Sequence, residues 1–184
     1  MSIRALGSDV NMSYPNGCMS RSAQLEVNAA TVEQMPIVAN LIQLYAHDFS
    51  EYHHLELDAD GRFGYEPLPL YWSEPNRHPF LVRMDGNLAG FVLVKSNGAV
   101  WDMAEFFVVR GYRRQGIGTA IAHDIWKRFP GPWTVRVMQK NHSAANFWNR
   151  AISEFTGVLP HPVTSERWHI FSFDSRPSLA EPRP

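Results

Sequence analysis

Apolar positions along the chain change period several times, and each change marks an element. "QLEVNA" alternates and reads as a short strand. Thr31 and Gln34 then stand at capping-box spacing, and Ile37, Leu41 and Leu44, flanked by Val38, Ile42, Tyr45 and Phe49, predict a helical stripe. The stretch from His47 to about Arg77 is rich in aromatics and prolines with weak periodicity, which predicts loops and one short helix. "FLVRM" and "LAGFVLVKS" around Asp85-Gly86-Asn87 predict a hairpin, and Asn97-Gly98 a second turn before "AVWDMAEFFVV". A helix follows "RRQGIG", the strand "WTVRVMQ" follows Pro130-Gly131-Pro132, a helix runs from about Ser143 to Phe155, and "RWHIFSF" is a last strand. This order predicts an α/β fold of the α+β type, with a mixed, largely antiparallel central sheet flanked by helices.

Outside the periodic part, residues 1–22 are polar and punctuated by Gly, Ser and Asn, and are expected to form a disordered extension. Residues 23–174 are expected to form one domain and 175–184 a flexible tail. With 184 residues, 45% hydrophobic and 19% charged, the chain has the composition of a single globular domain. A formal net charge of −1 supplies no global positive field, so neither nucleic acid nor a membrane surface is expected as a partner. No apolar run approaches the roughly 18 residues of a membrane span, and no secretory signal pattern opens the chain. The single cysteine, Cys18, has no internal disulfide partner, which fits a cytoplasmic, reducing compartment.

The junction "VVRGYRRQGIGTAIAHDIWKRF" carries the clearest chemistry. A helix N-terminus leaves backbone N–H groups unpaired and partly positive, so it attracts phosphate wherever the backbone comes close. Gly116 and Gly118 allow that approach; Gln115, Ile117 and Thr119 would offer amides, Thr119 a hydroxyl, and Arg113 or Arg114 a charged clamp. Equally, the glycines shape a strand-to-helix turn and the arginines are solvated. The third position of a dinucleotide GxGxxG is filled by Ile121, and the Gly-Lys-Ser/Thr of a P-loop is absent.

Arg113-x-x-Gly116-x-Gly118, preceded by the meander, resembles the pyrophosphate motif of the GNAT superfamily of acyl-CoA-dependent N-acyltransferases. The resemblance covers about Gln24 to Asp174 in element order. It implies that backbone groups of Phe107, Val108 and Val109 bond the pantetheine arm of acetyl-CoA, the co-substrate. "NHSAANFWNRAI" resembles the family's Asn-x-x-Ala-x-x-Phe-Tyr segment, which makes Asn141 a cofactor-contacting amide. Trp148 stands where the family commonly has a tyrosine that protonates the leaving thiolate.

Strict alternation puts Trp101, Met103, Glu105, Phe107 and Val109 on one face of their strand and Asp102, Ala104, Phe106 and Val108 on the other. Glu105 then sits among large apolar neighbours, where burial raises a carboxyl pKa toward that of a useful base. "AEFF" also resembles the strand of the histone-acetylating branch, in which a glutamate is the general base. A pairing with a buried arginine, or a place in a solvated cleft, is the alternative for Glu105, and Asp102 is the reserve base. Trp148 falls on an apolar helical face with Ala144, Phe147, Ala151, Ile152 and Phe155, and reads as packing. That leaves the thiolate to water, Tyr112, His142 or a tyrosine of the middle segment.

His53, His54, Asp58 and Asp60 lack the spacing of a zinc or calcium site, so no metal is expected. Tyr45, Asp48, Glu51, Tyr52, Phe63, Tyr65, Tyr71 and Trp72 occupy the region that shapes the family's acceptor pocket, and they suit a cationic amine or ordinary packing. The functional expectation is transfer of acetyl to the primary amine of a small molecule or peptide by direct attack. A non-catalytic acyl-CoA sensor is the alternative, a nucleotide-free structural domain the weaker third, and a homodimer is compatible with each.

Overall fold

The computed structural model describes residues 23–177. The expected extension, Cys18 and most of the expected tail lie outside them. Among the described residues, seven strands and four α-helices follow in the order β1 (Leu25–Ala29), α1 (Met35–Phe49), α2 (Leu70–Ser73), β2 (Arg77–Met84), β3 (Asn87–Ser96), β4 (Trp101–Val108), α3 (Ile117–Arg128), β5 (Pro132–Met138), α4 (His142–Thr156), β6 (Val163–Thr164) and β7 (Trp168–Asp174). They form one sheet in the order β1-β2-β3-β4-β5-β7-β6, antiparallel throughout except where β5 lies parallel to β4. α3 supplies the crossover that a parallel pair requires.

Local chemistry explains the borders. Asp85 and Gly86 both have positive φ, 50° and 79°, the combination a two-residue hairpin favours because it matches strand twist. The Thr31 N–H donates to the Gln34 side chain, and a single 3-10 turn leads into α1. α1 buries Val38, Leu41, Ile42 and Ala46, so its apolar face is rotated from the expected stripe and Leu44 is exposed. The edge strand β6, two exposed residues long, carries no alternation that a sequence could reveal.

Two cores sandwich the sheet. On one face, Ile121, Ile125 and Trp126 of α3 and Trp148 and Ile152 of α4 pack against Val92, Val94, Met103 and Val135. On the other, Val38, Leu41 and Ile42 of α1 and Tyr71 of α2 pack against Leu81, Phe91, Leu93 and Phe107. Burying a side chain of this size contributes about 1.5–3 kcal/mol, which is why the two helical layers are not interchangeable with solvent.

The register of β4 corrects the expected alternation. Leu93 lies opposite Glu105 and Val94 opposite Met103, so Ala104 is an extra residue, a β-bulge. Met103 and Val108 are buried, and Trp101 and Phe106 partly buried, on the α3/α4 side, whereas Ala104, Phe107 and Val109 pack on the α1 side. Trp101 and Met103 therefore do not share a face with Phe107. A second bulge on β3, at Ala89, precedes Gly90, where a Cβ would stand 2.0 Å from the Phe107 carbonyl oxygen. Only glycine admits that approach of β3 to β4.

Candidate functional site

β4 and β5 pair only at Trp101–Trp133 and Asp102–Thr134. Beyond that point no ladder joins them, and the parting strands open a cleft of about 550 Å³ bounded by α1, the α3 N-terminus and α4. Of the expected cofactor residues, Phe107, Val108, Arg113, Arg114, Gly116, Gly118, Thr119 and Asn141 line it. Val109 packs toward α1, Ile117 is buried in the α3 core, and the Gln115 side chain donates to the Gly111 carbonyl at 2.9 Å.

The loop before α3 is bent by two left-handed residues, Arg114 at φ 63° and Gly116 at φ 78°, and Gly116 caps the helix. This turn delivers the first amides of α3 to the cleft wall. Gly118 has a second reason to be glycine. A Cβ there would stand 3.1 Å from the Phe147 ring, which also stacks on Phe106 at 5.7 Å.

Arg113 is held rather than free. Its Nε donates to the Val108 carbonyl at 2.6 Å and its Nη2 to Asp48 Oδ2 at 2.6 Å, while Arg110 donates to Asp48 Oδ1 at 2.6 Å. Burial opposes ionisation of Asp48, but the two guanidinium groups outweigh it and hold the carboxyl below its ordinary range. The Asp48 charge expected for a cationic acceptor is thus already matched. Arg110, Arg113, Arg114 and Arg150 against Asp48 and Glu51 leave the cleft lining basic.

On α4, Asn141 is the N-cap, its Oδ1 accepting from the Ala144 N–H at 2.9 Å, and the residue also lines the cleft. Trp148 is 5% exposed and packs edge-on against Phe106 at 4.9 Å. The packing expected of it is present, and it borders the cleft as well. Tyr112 and His142 are outside the cleft lining, whereas Tyr45 and Tyr52 are within it.

Glu105 is half-buried on the α1 side of β4. Its neighbours are phenols rather than the purely apolar groups that alternation suggests. The Tyr65 hydroxyl donates to Glu105 Oε1 at 3.0 Å, and the Tyr45 phenol is close enough to feel the carboxyl's charge. Burial pushes the Glu105 pKa up; the two tyrosine hydroxyls and the Lys95 charge oppose the rise without cancelling it, and the Asp102 charge adds to it. Asp102, the reserve base, is bound by Arg136 at 2.8 Å and by Lys95 at 3.6 Å.

The middle segment divides. Tyr45, Asp48, Glu51 and Tyr52 reach the cleft, whereas Tyr71 is buried beneath α1 and the Trp72 indole donates to the Ala30 carbonyl at 2.8 Å. Asp58 closes its own loop by accepting from the Asp60 and Arg62 amides at 3.0 and 2.8 Å. Sequence reasoning missed Arg110, Ser143, Asn146 and Arg150. Ser143, Asn146, Phe147 and Arg150 follow one stripe of α4, a signal hidden behind the more conspicuous apolar face.

The fold is shared with solved structures of low sequence identity. An acetyltransferase from Thermus thermophilus is 14% identical, with a TM-score of 0.63 over 82% of this chain and 96% of that one. Spermidine N-acetyltransferase from Vibrio cholerae, in complex with CoA and spermine, is 11% identical, with a TM-score of 0.60 over 83% and 96%. The ribosomal-protein-S18-alanine N-acetyltransferase of Escherichia coli is 13% identical, with a TM-score of 0.57 over 86% and 99%. No curated protein sequence matches significantly. The model of the acetyltransferase (GNAT) family matches residues 38–152, more than half of the chain, and the chain belongs to that family.

Proposed function

We propose that the protein is an N-acetyltransferase that moves acetyl from acetyl-CoA to the primary amine of a small molecule or peptide by direct attack, with Glu105 as general base. The observation that carries the proposal is the parting of β4 from β5 over a basic cleft that ends at the α3 amides. The pyrophosphate would lie on the amides around Gly116 and Gly118, with Arg114 and Arg150 adding charge, and the pantetheine arm along Phe106–Val108. Acetyl-CoA would supply the activated acyl group. The chain's own residues orient the thioester beside β4, exclude water with Phe106, Phe107 and Phe147, and draw the proton from the amine. Relatives that share the fold include one whose structure holds CoA and spermine and one named for an alanine N-terminus, which supports an amine acceptor of either size.

Trp148 favours a second reading, a non-catalytic acyl-CoA sensor, because a buried indole does not protonate a thiolate. A thiol pKa near 8.5 lets the thiolate leave and take its proton from solvent. The experiment has two parts. Saturating acetyl-CoA is expected to raise Tm, by roughly 2.7 kcal/mol of stabilisation at 100 times Kd. No stabilisation overturns both readings. CoA release across an amine panel is expected with native protein and strongly reduced in Glu105→Gln; no release with any amine leaves the sensor.

A further inference from the structure

Asp48 of α1 and Arg110 and Arg113 of the loop between β4 and α3 meet in the wall of the cleft. Arg113 makes three contacts at once. Its Nε donates to the Val108 carbonyl at 2.6 Å, its Nη2 donates to Asp48 Oδ2 at 2.6 Å, and its guanidinium carbon lies 5.5 Å from the centre of the Phe107 ring. Arg110 donates to Asp48 Oδ1 from Nε at 3.1 Å and from Nη2 at 2.6 Å, so both carboxylate oxygens are taken. The Val108 carbonyl belongs to the open edge of β4. The Val109 N–H of the same peptide donates to the Ala89 carbonyl of β3, and in a trans peptide the C=O points the opposite way, into the gap that β5 leaves.

Asp48 stands where its charge alone is not favoured. It lies in the last turn of α1, where the helix dipole opposes an anion, and in the wall of a cleft whose proposed ligand carries phosphates. What it supplies there is geometry, because it ties the end of α1 to the loop that opens α3.

We propose that Asp48 and Arg113 are positioning residues, a brace that fixes the open end of β4 and the Gly116–Gly118 loop against α1, and that Arg113 serves acetyl-CoA through this brace and not as a phosphate clamp. The proposal rests on the reading of the cleft as the acetyl-CoA site. The planar fork of one arginine joins a helix carboxylate to a strand carbonyl, which a point charge on a flexible stem does not do. With the brace made, β4 offers the pantetheine arm a fixed edge and the α3 amides keep their aim at the pyrophosphate. Without it only a fraction of molecules hold that arrangement, and apparent affinity falls by that fraction. Arg114 and Arg150, which line the same cleft, are left to meet phosphate. Brace and charge predict opposite signs. As a mere charge, Asp48 repels the ligand and occupies two arginines, so neutralising it would tighten binding.

The test is calorimetric titration with acetyl-CoA at fixed ionic strength. Asp48→Asn is expected to weaken binding about fivefold, although the fold is little affected. Glu51→Gln removes a negative charge from the same cleft wall and is expected to bind at least as tightly as native. Arg113→Lys keeps the charge without the fork and is expected to bind as weakly as Arg113→Gln. The Asp48→Asn/Arg113→Lys double variant is expected to lose no more than the weaker single, because both break one brace. With an amine that reacts, the loss is expected in KM for acetyl-CoA and not in kcat, since saturating cofactor restores the bound arrangement. Asp48→Asn binding tighter than native or within about twofold of it, an Arg113→Lys affinity equal to native, a Glu51→Gln loss as large as that of Asp48→Asn, multiplicative losses in the double variant, or a loss confined to kcat overturns the brace. Native protein that binds no acetyl-CoA overturns the cofactor reading and the brace with it, whereas native binding that survives Asp48→Asn undiminished overturns the brace alone.

Discussion

The two faces of the sheet are built from different materials. Toward α3 and α4, Trp126 meets Phe155 and Phe173 edge to face and Trp148 at a tilt, with ring centroids from 4.8 to 6.1 Å apart. Toward α1, the packing is interrupted by Tyr45, Tyr65, Glu105, Asp102 and the Asp48 pair of arginines. One face closes the fold, and the other keeps titratable groups at the wall of an apolar core. Such groups cost stability unless paired, and here nearly every one is bonded to a neighbour.

The largest test of this division is Trp126→Ala on the closed face. Trp126 is fully buried, so its loss is expected to cost roughly 3–5 kcal/mol, read from urea unfolding. On the open face, Glu105→Gln is expected to preserve or raise Tm at neutral pH, because it removes the cost of a buried charge. The pH dependence sharpens this. Folded Glu105 keeps its proton to higher pH than the unfolded chain does, so it contributes stability at low pH that is lost as pH rises from about 4.3 through its raised folded value. Native protein is therefore expected to lose stability relative to Glu105→Gln across that window; a gain would show that the carboxylate is paired. The smallest effect belongs to Asp48→Asn, which unties α1 from the loop before α3. Both arginines are well exposed, so only a slight fall in Tm is expected, vanishing at high salt.

The same contrast explains what was legible in the sequence. The closed face follows period rules: the α4 stripe from Ala144 to Phe155 is present as read, and Asp85-Gly86 turns where the hairpin signal lies. The glycine loop is local too, so its place at the α3 N-terminus follows from the residues themselves. The open face depends on distant encounters. Asp48 meets Arg110 and Arg113 across more than 60 positions, and Tyr65 meets Glu105 across 40, which no periodicity encodes. Alternation also has no way to register a residue inserted into a strand, so it assigned Trp101 and Met103 to the wrong side of Glu105.

That inserted residue constrains how β4 can change over evolutionary time. Ala104 bears only a methyl group, and its replacement by another small residue disturbs little. Its deletion is another matter. The strand would close up by one step, and every position on one side of the gap would exchange faces relative to the other. Asp102 and its two cations would turn into the tryptophan layer, or Glu105 would turn away from both tyrosines. Length at this point of the chain is therefore expected to be guarded more strictly than identity.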